Sequence, residues 1–233
     1  MGCRALIFVL SSVIALGGCG NDTPEGTAVT ASPRAAEGCA SPTGNVPAGV
    51  IDPQVIWPPV PYCSSDPREV ARSFATKYIG LQGARVSEFK GKQLAGGAHG
   101  AIDIFRRGEA TTVVSTVSFR QLDDAHYFYI TSARSREVLL TAPLPRASIR
   151  SPVTVQGRGR GFEGNVVVEI RPAYTTAALS DRAVTAGSMG ALEPFSTKLT
   201  FTAPAGVRTG AIVAKSDSGT ADVNGFAALP VRF

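Results

Sequence analysis

The pattern of hydrophobic and polar residues changes near residue 85, from a helical spacing before it to an alternation after it. In the first part, apolar residues recur at helical spacing at Val70, Phe74 and Tyr78. Asp66 is suited to cap a helix at its first turn, and Gly80 is suited to end one. The pattern therefore predicts a single amphipathic helix from Pro67 to Ile79.

After residue 85 the alternation of hydrophobic and polar residues is the pattern of half-buried β-strands. Four strands are expected in the first part of this region: 86–93, 101–106, 111–119 and 127–131. Phenylalanines and tyrosines in these strands provide the bulk of a core. We expect residues 65–136 to form a small α+β domain, in which the helix packs on an antiparallel sheet.

The region 137–233 has the same alternation and no helical pattern. Val138 and Leu140 begin this region. Further strands are expected at 149–156, 165–170, 183–185, 194–202, 210–216 and 226–233. The glycine-rich stretch 157–161 and the pair Asn224-Gly225 are predicted to be turns. Roughly seven short strands in this length predict an antiparallel, immunoglobulin-like β-sandwich. The chain as a whole is therefore expected to be mostly β.

The first 18 residues form a separate segment. Arg4 is followed by the apolar run 5–16, which is typical of a secretory signal and short for a membrane-spanning helix. The residues Leu16-Gly17-Gly18-Cys19 resemble a bacterial lipobox, where cleavage leaves an acylated cysteine at the new N-terminus. We expect residues 1–18 to be a signal peptide and Cys19 to carry lipid such as palmitate. The alternative is a conventional cleavage site beside an unmodified Cys19.

Lipid on Cys19 implies a place for the protein. Each acyl methylene that is buried in a membrane contributes about 0.8 kcal/mol to binding. The protein would therefore be held at the outer face of the cell membrane without spanning it. Residues 19–38 are rich in small residues and proline, which predicts a flexible tether between membrane and domain.

Cys39 and Cys63 form an even pair in a chain that is expected to be exported. They predict a disulfide that closes the proline-rich segment 39–64 and stabilises the fold by roughly 3.5 kcal/mol in the chain-entropy model. No Cys-x-x-Cys motif is present, so we expect no metal site. Trp57 within this segment is expected to pack on the next domain, with contact to a sugar or another partner as the alternative.

The composition narrows the possible partners. The formal net charge is +5, and the basic residues are scattered singly along the chain. Scattered charge of this size does not indicate a nucleic-acid surface. A hydrophobic content of 44% is enough for folded domains.

Four pieces of the C-terminal region together resemble a known domain. They are I-R-S-P-V-T-V-Q-G at 149–157, F-E-G-N-V at 162–166, P-F-S at 194–196, and Ser216-Asp217 ahead of the final V-R-F at 231–233. Their order and spacing are similar to the immunoglobulin-like domain of bacterial spore germination proteins, the second GerMN-associated domain. The region before it, with T-T-V-V at 111–114 and F-R-Q-L at 119–122, resembles the domain that precedes this module in actinobacterial lipoproteins.

The resemblance implies a location in the cell envelope and an accessory or binding role, and it carries over no catalytic residue, cofactor or metal. The expected partner is a wall polymer or another envelope protein. Arg158 and Arg160, in the predicted glycine-rich turn, are candidate contacts for an anionic partner, because glycines allow close approach; a turn with solvated arginines is the alternative. Trp57 is a further candidate contact.

Two other functions are open. A hydrolase that acts on the envelope would have to use His99 and His126, joined by Glu163 or Asp103, although no nucleophile or zinc motif accompanies them. A solute-binding lipoprotein is the second alternative. The short connection 141–147 between the two predicted domains is unlike the hinge of a ligand clamp.

Overall fold

The fold was determined as a computed structural model that describes residues 54–58, 64–94, 97–109, 111–121, 127–173, 175–188, 190–220 and 222–233. The predicted signal peptide and tether, the lipid on Cys19, and the disulfide between Cys39 and Cys63 all lie outside these residues. They stay predictions.

The predicted helix is present, with a change of geometry half-way along it. Helix α1 spans Pro67–Ser73, and a π-helical segment continues it over Phe74–Ile79. The Oδ1 of Asp66 accepts a hydrogen bond of 2.8 Å from the backbone N–H of Arg68, as a capping residue should. Gly80 ends the helix in the left-handed conformation, at φ 95°. The change from α to π winding was not predicted, because both windings place the same apolar residues on one face.

The described part of the chain contains thirteen strands. In the first half they are β1 (Arg85–Val86), β2 (Lys90–Leu94), β3 (Gly97–Phe105), β4 (Val113–Gln121), β5 (Phe128–Arg134) and β6 (Val138–Ala142). In the second half they are β7 (Val153–Gly161), β8 (Asn165–Pro172), β9 (Ser180–Thr185), β10 (Gly187–Ser188), β11 (Glu193–Leu199), β12 (Thr209–Asp217) and β13 (Val223–Arg232). A turn of 3-10 helix, Phe162–Gly164, joins β7 to β8.

Nine of these strands form one sheet, in the order β1-β3-β4-β5-β13-β12-β8-β9, with β2 also paired to β3. All neighbours in this large sheet are antiparallel. Strands β5 and β13 meet at the single register pair Ala133 and Ala228. The segment ahead of the helix continues along β5, where Ile56 N–H donates to the Ile130 carbonyl and Ile130 N–H donates to the Trp57 carbonyl, both at 2.8 Å.

The other four strands form a small sheet in which β7 is central. Strands β6 and β11 flank β7 on its two sides and run antiparallel to it, and β10 adds a short parallel pairing at Gly187–Ser188. The small sheet packs on the C-terminal strands of the large sheet, and the two enclose a core of valine, isoleucine, leucine and phenylalanine side chains. This packing is the immunoglobulin-like sandwich.

Strands β12 and β13 are buried on both faces. On one face Ala211, Val213, Phe226 and Ala228 join the core beneath the helix. On the other face Ile212, Ala214, Ala227, Leu229 and Val231 join the core of the sandwich. Because side chains alternate along a strand, these two strands supply both cores at once.

The fold is mostly β, with antiparallel sheets, one helix and an immunoglobulin-like domain at the C-terminus, as the alternation predicted. The boundary predicted at 136/137 falls in the turn between β5 and β6. Strand β13, from beyond that boundary, pairs with β5 from before it. The large sheet is therefore continuous across this position.

Three local predictions were wrong. The strand expected at 86–93 is broken after Val86, because the ring of Phe89 turns inward and packs against Phe119 and Phe128 at 6.2 and 5.2 Å. The pair Asn224-Gly225 lies within β13, opposite a β-bulge at Ser216 and Asp217, and is not a turn. The glycine-rich stretch 157–161, predicted to be a turn, belongs to strand β7.

Candidate binding surface

The glycine-rich stretch 157–161 is the second half of strand β7, and the prediction of a turn there was wrong. Gly157, Gly159 and Gly161 point into the sandwich and are buried, while the arginines between them point outward. A Cβ on Gly157 would lie 2.3 Å from the Leu139 carbonyl oxygen and 2.3 Å from the Phe195 ring. The glycines are therefore required by close packing on the inner face, and the strand keeps its alternation through them.

Arg158 lies in the middle of the outer face of the small sheet. Its register neighbours are Leu139 on β6 and Pro194 on β11. Its Nη2 donates a hydrogen bond of 2.9 Å to the carbonyl oxygen of Leu192. That acceptor is neutral, so the bond positions the guanidinium without cancelling its positive charge.

Arg160 is two residues further along the same face and has an acidic partner. Its Nε and Nη2 donate to the two carboxylate oxygens of Glu137 at 2.6 and 3.0 Å, and its Nη1 donates to the Gly190 carbonyl at 2.7 Å. The hydrogen bonds and negative charge of Glu137 raise the pKa of the Arg160 guanidinium. The carboxylate offsets the positive charge of the guanidinium. Arg160 therefore contributes more to holding Glu137 and the Gly190 carbonyl in place than to attracting an anion.

Lys198 is a further cation on this face, and it was not predicted from the sequence. It is exposed on β11, opposite Thr154 of β7, and therefore on the same face as Arg158. The signal was present in the alternation of β11, where Phe195, Thr197 and Leu199 are buried and the residues between them are exposed. Arg158, Arg160 and Lys198 together define what we call the outer basic face.

Trp57 does not belong to this surface. Its side chain is 2% exposed and lies in the core beneath the helix, with its ring 5.4 Å from that of Tyr78. The expected packing on the next domain is what the structure shows. The alternative, in which Trp57 contacts a sugar or another partner, is wrong for a ring buried to this degree.

The strands that carry the outer basic face can be assigned to a family. Residues 137–221 match the immunoglobulin-like domain of bacterial spore germination. No curated protein and no solved structure matches the chain.

This germination-associated domain begins with β6 and includes β7 and β11, so it contains the whole outer basic face. The matched range ends before β13, the strand that pairs with β12 and completes the core of the sandwich. An immunoglobulin-like domain associated with germination suggests a non-catalytic accessory role.

The residues named for a hydrolase do not form an active site among the described residues. His99 and Asp103 lie on β3, Glu163 lies in the turn after β7, and His126 is outside the described part of the chain. Asp103 is held by Thr116 and Lys90, whose oxygen and nitrogen lie 2.6 and 3.0 Å from its carboxylate. Within the described ranges, no three His, Cys, Asp or Glu residues lie close enough together to hold a metal ion.

The same arrangement determines the ionisation of Asp103. Partial burial opposes its charged form, but the hydrogen bonds from Thr116 and Lys90, together with the Lys90 charge, outweigh this effect and lower the pKa of the carboxyl group. Such a group is a stable anion and a poor general acid.

Among the residues that the structure describes, no helix is long and apolar enough to cross a membrane.

Proposed function

We propose that the chain is a lipid-anchored, non-catalytic accessory protein of the cell envelope, which presents its immunoglobulin-like domain to a partner outside the membrane. The observation that carries the proposal is the outer basic face. Arg158 and Lys198 project from a rigid, folded sheet, and Arg158 retains its charge because its hydrogen-bond partner is a neutral carbonyl. The partner that suits this face is anionic, either a wall polymer or the acidic surface of another envelope protein.

The location rests on the N-terminal sequence. The apolar run 5–16 is followed directly by Leu16-Gly17-Gly18-Cys19, the arrangement in which a cysteine is acylated and then becomes the first residue. Residues 19–38 then supply a polar tether that holds the domain clear of the lipid headgroups. A protein held in this way acts on partners within reach of the membrane surface.

A binding role suits the chemistry of the described residues better than a hydrolytic one. The outer basic face consists of two arginines and a lysine, which bind anions and are not general bases at neutral pH. The neighbouring carboxylate of Glu137 is paired with Arg160. His99 and Asp103 lie on the same strand, β3, whereas Glu163 lies in the turn between β7 and β8. We therefore propose that the protein is not an enzyme and uses neither cofactor nor metal.

The proposal is tested by binding to anionic wall polymer in a sedimentation assay, with the double variant Arg158→Ala and Arg160→Ala. The exposed charge of Arg158 contributes on the order of 1 kcal/mol or less, and the loss of Arg160 leaves the Glu137 carboxylate unpaired on the same face, so the double variant should weaken binding by about tenfold. The matched control is Arg72→Ala with Arg107→Ala, which removes two exposed arginines from other surfaces. Equal binding by the two double variants would contradict the assignment of this face.

A further inference from the structure

A groove opens at the side of the sandwich, between the two sheets. Its volume is about 240 Å³. Three strands and one loop border it: β5 at 132–134, β13 at 227–229, β6 at 138–140, and the loop at Pro145. We call this the lateral groove. It is smaller than the roughly 300–1,000 Å³ of small-molecule sites, and its size suits one or two side chains.

Strand β6 offers an open edge to the lateral groove. In the described part of the chain, β6 pairs with β7 alone. Three consecutive residues of β6 line the groove, although their side chains alternate between the two sides of the sheet. The backbone edge itself therefore borders the groove. An edge of this kind presents N–H and C=O groups that can pair with another extended chain.

The rim of the groove is apolar and positively charged. Leu139 on β6 is 41% exposed, and Leu144 in the following loop is 72% exposed. Arg134 at the end of β5 lines the groove, and Arg136 follows two residues later; both are exposed. No carboxylate is among the groove-lining residues within the described ranges. The groove thus combines an open backbone edge with Arg134 and the exposed Leu139 in its lining. Leu144 and Arg136 do not line the groove but lie close to lining residues in the sequence, and Arg136 lines the neighbouring cavity together with Asp103.

We propose that the lateral groove binds an extended, acidic segment of another envelope protein, which adds as a strand along the free edge of β6. Backbone hydrogen bonds to β6 would hold the segment, alternate apolar side chains would enter the groove, and carboxylates would face Arg134 and Arg136. The proposal deepens the binding role proposed above and rests on it, since it names the class of partner. The lateral groove adjoins the outer basic face at Leu139, the register neighbour of Arg158, but Arg158 and Arg160 are not among its lining residues.

Charge distinguishes this occupant from a second copy of the chain. In a twofold dimer the same patch lies on both sides of the interface, so the arginines of both copies would be brought into one interface. Like charges placed together in an interface oppose association. An acidic segment gives the complementary arrangement.

The test selects short random peptides displayed on phage against the full-length protein, purified in detergent. We expect enrichment of peptides in which apolar residues alternate with Asp or Glu. Amide hydrogen exchange of the protein with a selected peptide should then show new protection in 138–142. Failure to enrich such peptides, or binding without protection of β6, would overturn the proposal.

Two variants test whether the selected peptide binds in the lateral groove. Arg134→Glu reverses the charge at the rim, and Leu139→Glu places a carboxylate beside the free edge; each should weaken peptide binding by about tenfold or more. The matched controls are Arg72→Glu on the helix and Leu94→Glu on β2, both at exposed positions, and they should bind as the unmodified chain does. Equal loss in controls and variants would contradict the assignment.

Other occupants give distinct results. Protection of 138–142 in the free protein that grows with protein concentration would show a second copy on the edge, and protection independent of concentration would show an edge already covered; either overturns the proposal. Binding of anionic polymer that depends on Arg134 and leaves the β6 amides unprotected would show a polyanion site instead. The double variant Arg158→Ala and Arg160→Ala should keep peptide binding, so the proposal can survive failure of the outer basic face.

Discussion

The ring of Phe74, in the helix, lies 6.0 Å from the ring of Phe226, in the last strand, measured between centroids. Both side chains are fully buried. The contact joins the start of the described chain to its end. Phe226 belongs to β13, whose alternate residues point into the core of the sandwich, so the helix packs directly on a strand that the immunoglobulin-like domain needs.

Phe226→Ala should therefore destabilise the whole described fold. Truncation of a buried phenylalanine costs about 3–5 kcal/mol because it removes apolar contacts and leaves a cavity. We expect one urea transition, shifted to lower denaturant, when helix and sheet signals are followed together by circular dichroism. Phe162→Ala, at a residue that is 44% exposed, is the control and should change the free energy of unfolding much less. Two separate transitions would contradict a shared core.

A buried ionic cluster fixes the end of the helix to β8. The Nε of Arg171 donates to Glu169 at 2.6 Å, and its guanidinium carbon lies 5.0 Å from the centre of the Tyr78 ring. Arg171 also donates to the Tyr78 carbonyl oxygen, and Lys215 pairs with Glu169. Burial raises the pKa of the Tyr78 hydroxyl; Arg171 opposes this increase and Glu169 adds to it.

Arg171→Met should cost about 3 kcal/mol in the free energy of unfolding, because it leaves Glu169 buried with one cation in place of two. Glu169→Gln alone should also destabilise the fold, because it removes the shared partner of Arg171 and Lys215. The double variant should lose less than the sum of the two single losses, since both substitutions break the same Arg171–Glu169 pair. Arg68→Ala, which breaks the exposed pair with Glu88, is the control and should cost under about 1 kcal/mol. Additive losses in the double variant would contradict a coupled cluster.

Gly157→Ala tests the corrected position of the glycine-rich stretch. The new methyl group would collide with the Leu139 carbonyl and the Phe195 ring, so β6 and β11 would have to move apart from β7. We expect a loss of about 1–3 kcal/mol in thermal or urea unfolding. Gly190→Ala is the matched control, since its nearest contact would be an ordinary 3.4 Å. A flexible turn would tolerate both substitutions equally.

Asp103 makes the stability of the fold depend on acidity. Because its pKa is lower in the folded chain than its ordinary value of 3.8, its ion pair and hydrogen bond stabilise the fold above that pH. The contribution is lost as pH falls through the lowered, folded-state value. Asp103→Asn should therefore reduce the free energy of unfolding near neutral pH by under about 1 kcal/mol, and this difference should shrink in acid. A difference that is constant with pH would be inconsistent with the ionised group.

The sequence was informative wherever one residue type has one structural use. The cap at Asp66, the end at Gly80 and the alternation of β8 and β12 were all predictable, as was the buried position of Trp57. The stretch 157–161 was not, since alternating glycines suit either a turn or a crowded strand, and the Phe195 ring that decides between them is distant in sequence. Tertiary packing also placed β12 and β13 between two cores.

The candidate site was predictable only in part. Arg158 was identified, but its partner at Leu192 and the neutralisation of Arg160 by Glu137 depend on the pairing of β6, β7 and β11. The lateral groove lies where β5, β6 and β13 come together, at the register pair Ala133 and Ala228. Pairings between distant segments such as these leave no local signal in the sequence.

The N-terminus of the mature protein tests the central claim most directly. Mass spectrometry of the protein purified from its own membranes should find Cys19 as the first residue, with acyl chains attached, and Cys19→Ala should move the protein out of the membrane fraction. Recovery of a chain that keeps residues 1–18, or of an unmodified Cys19 in a protein that does not sediment with membranes, would contradict the account.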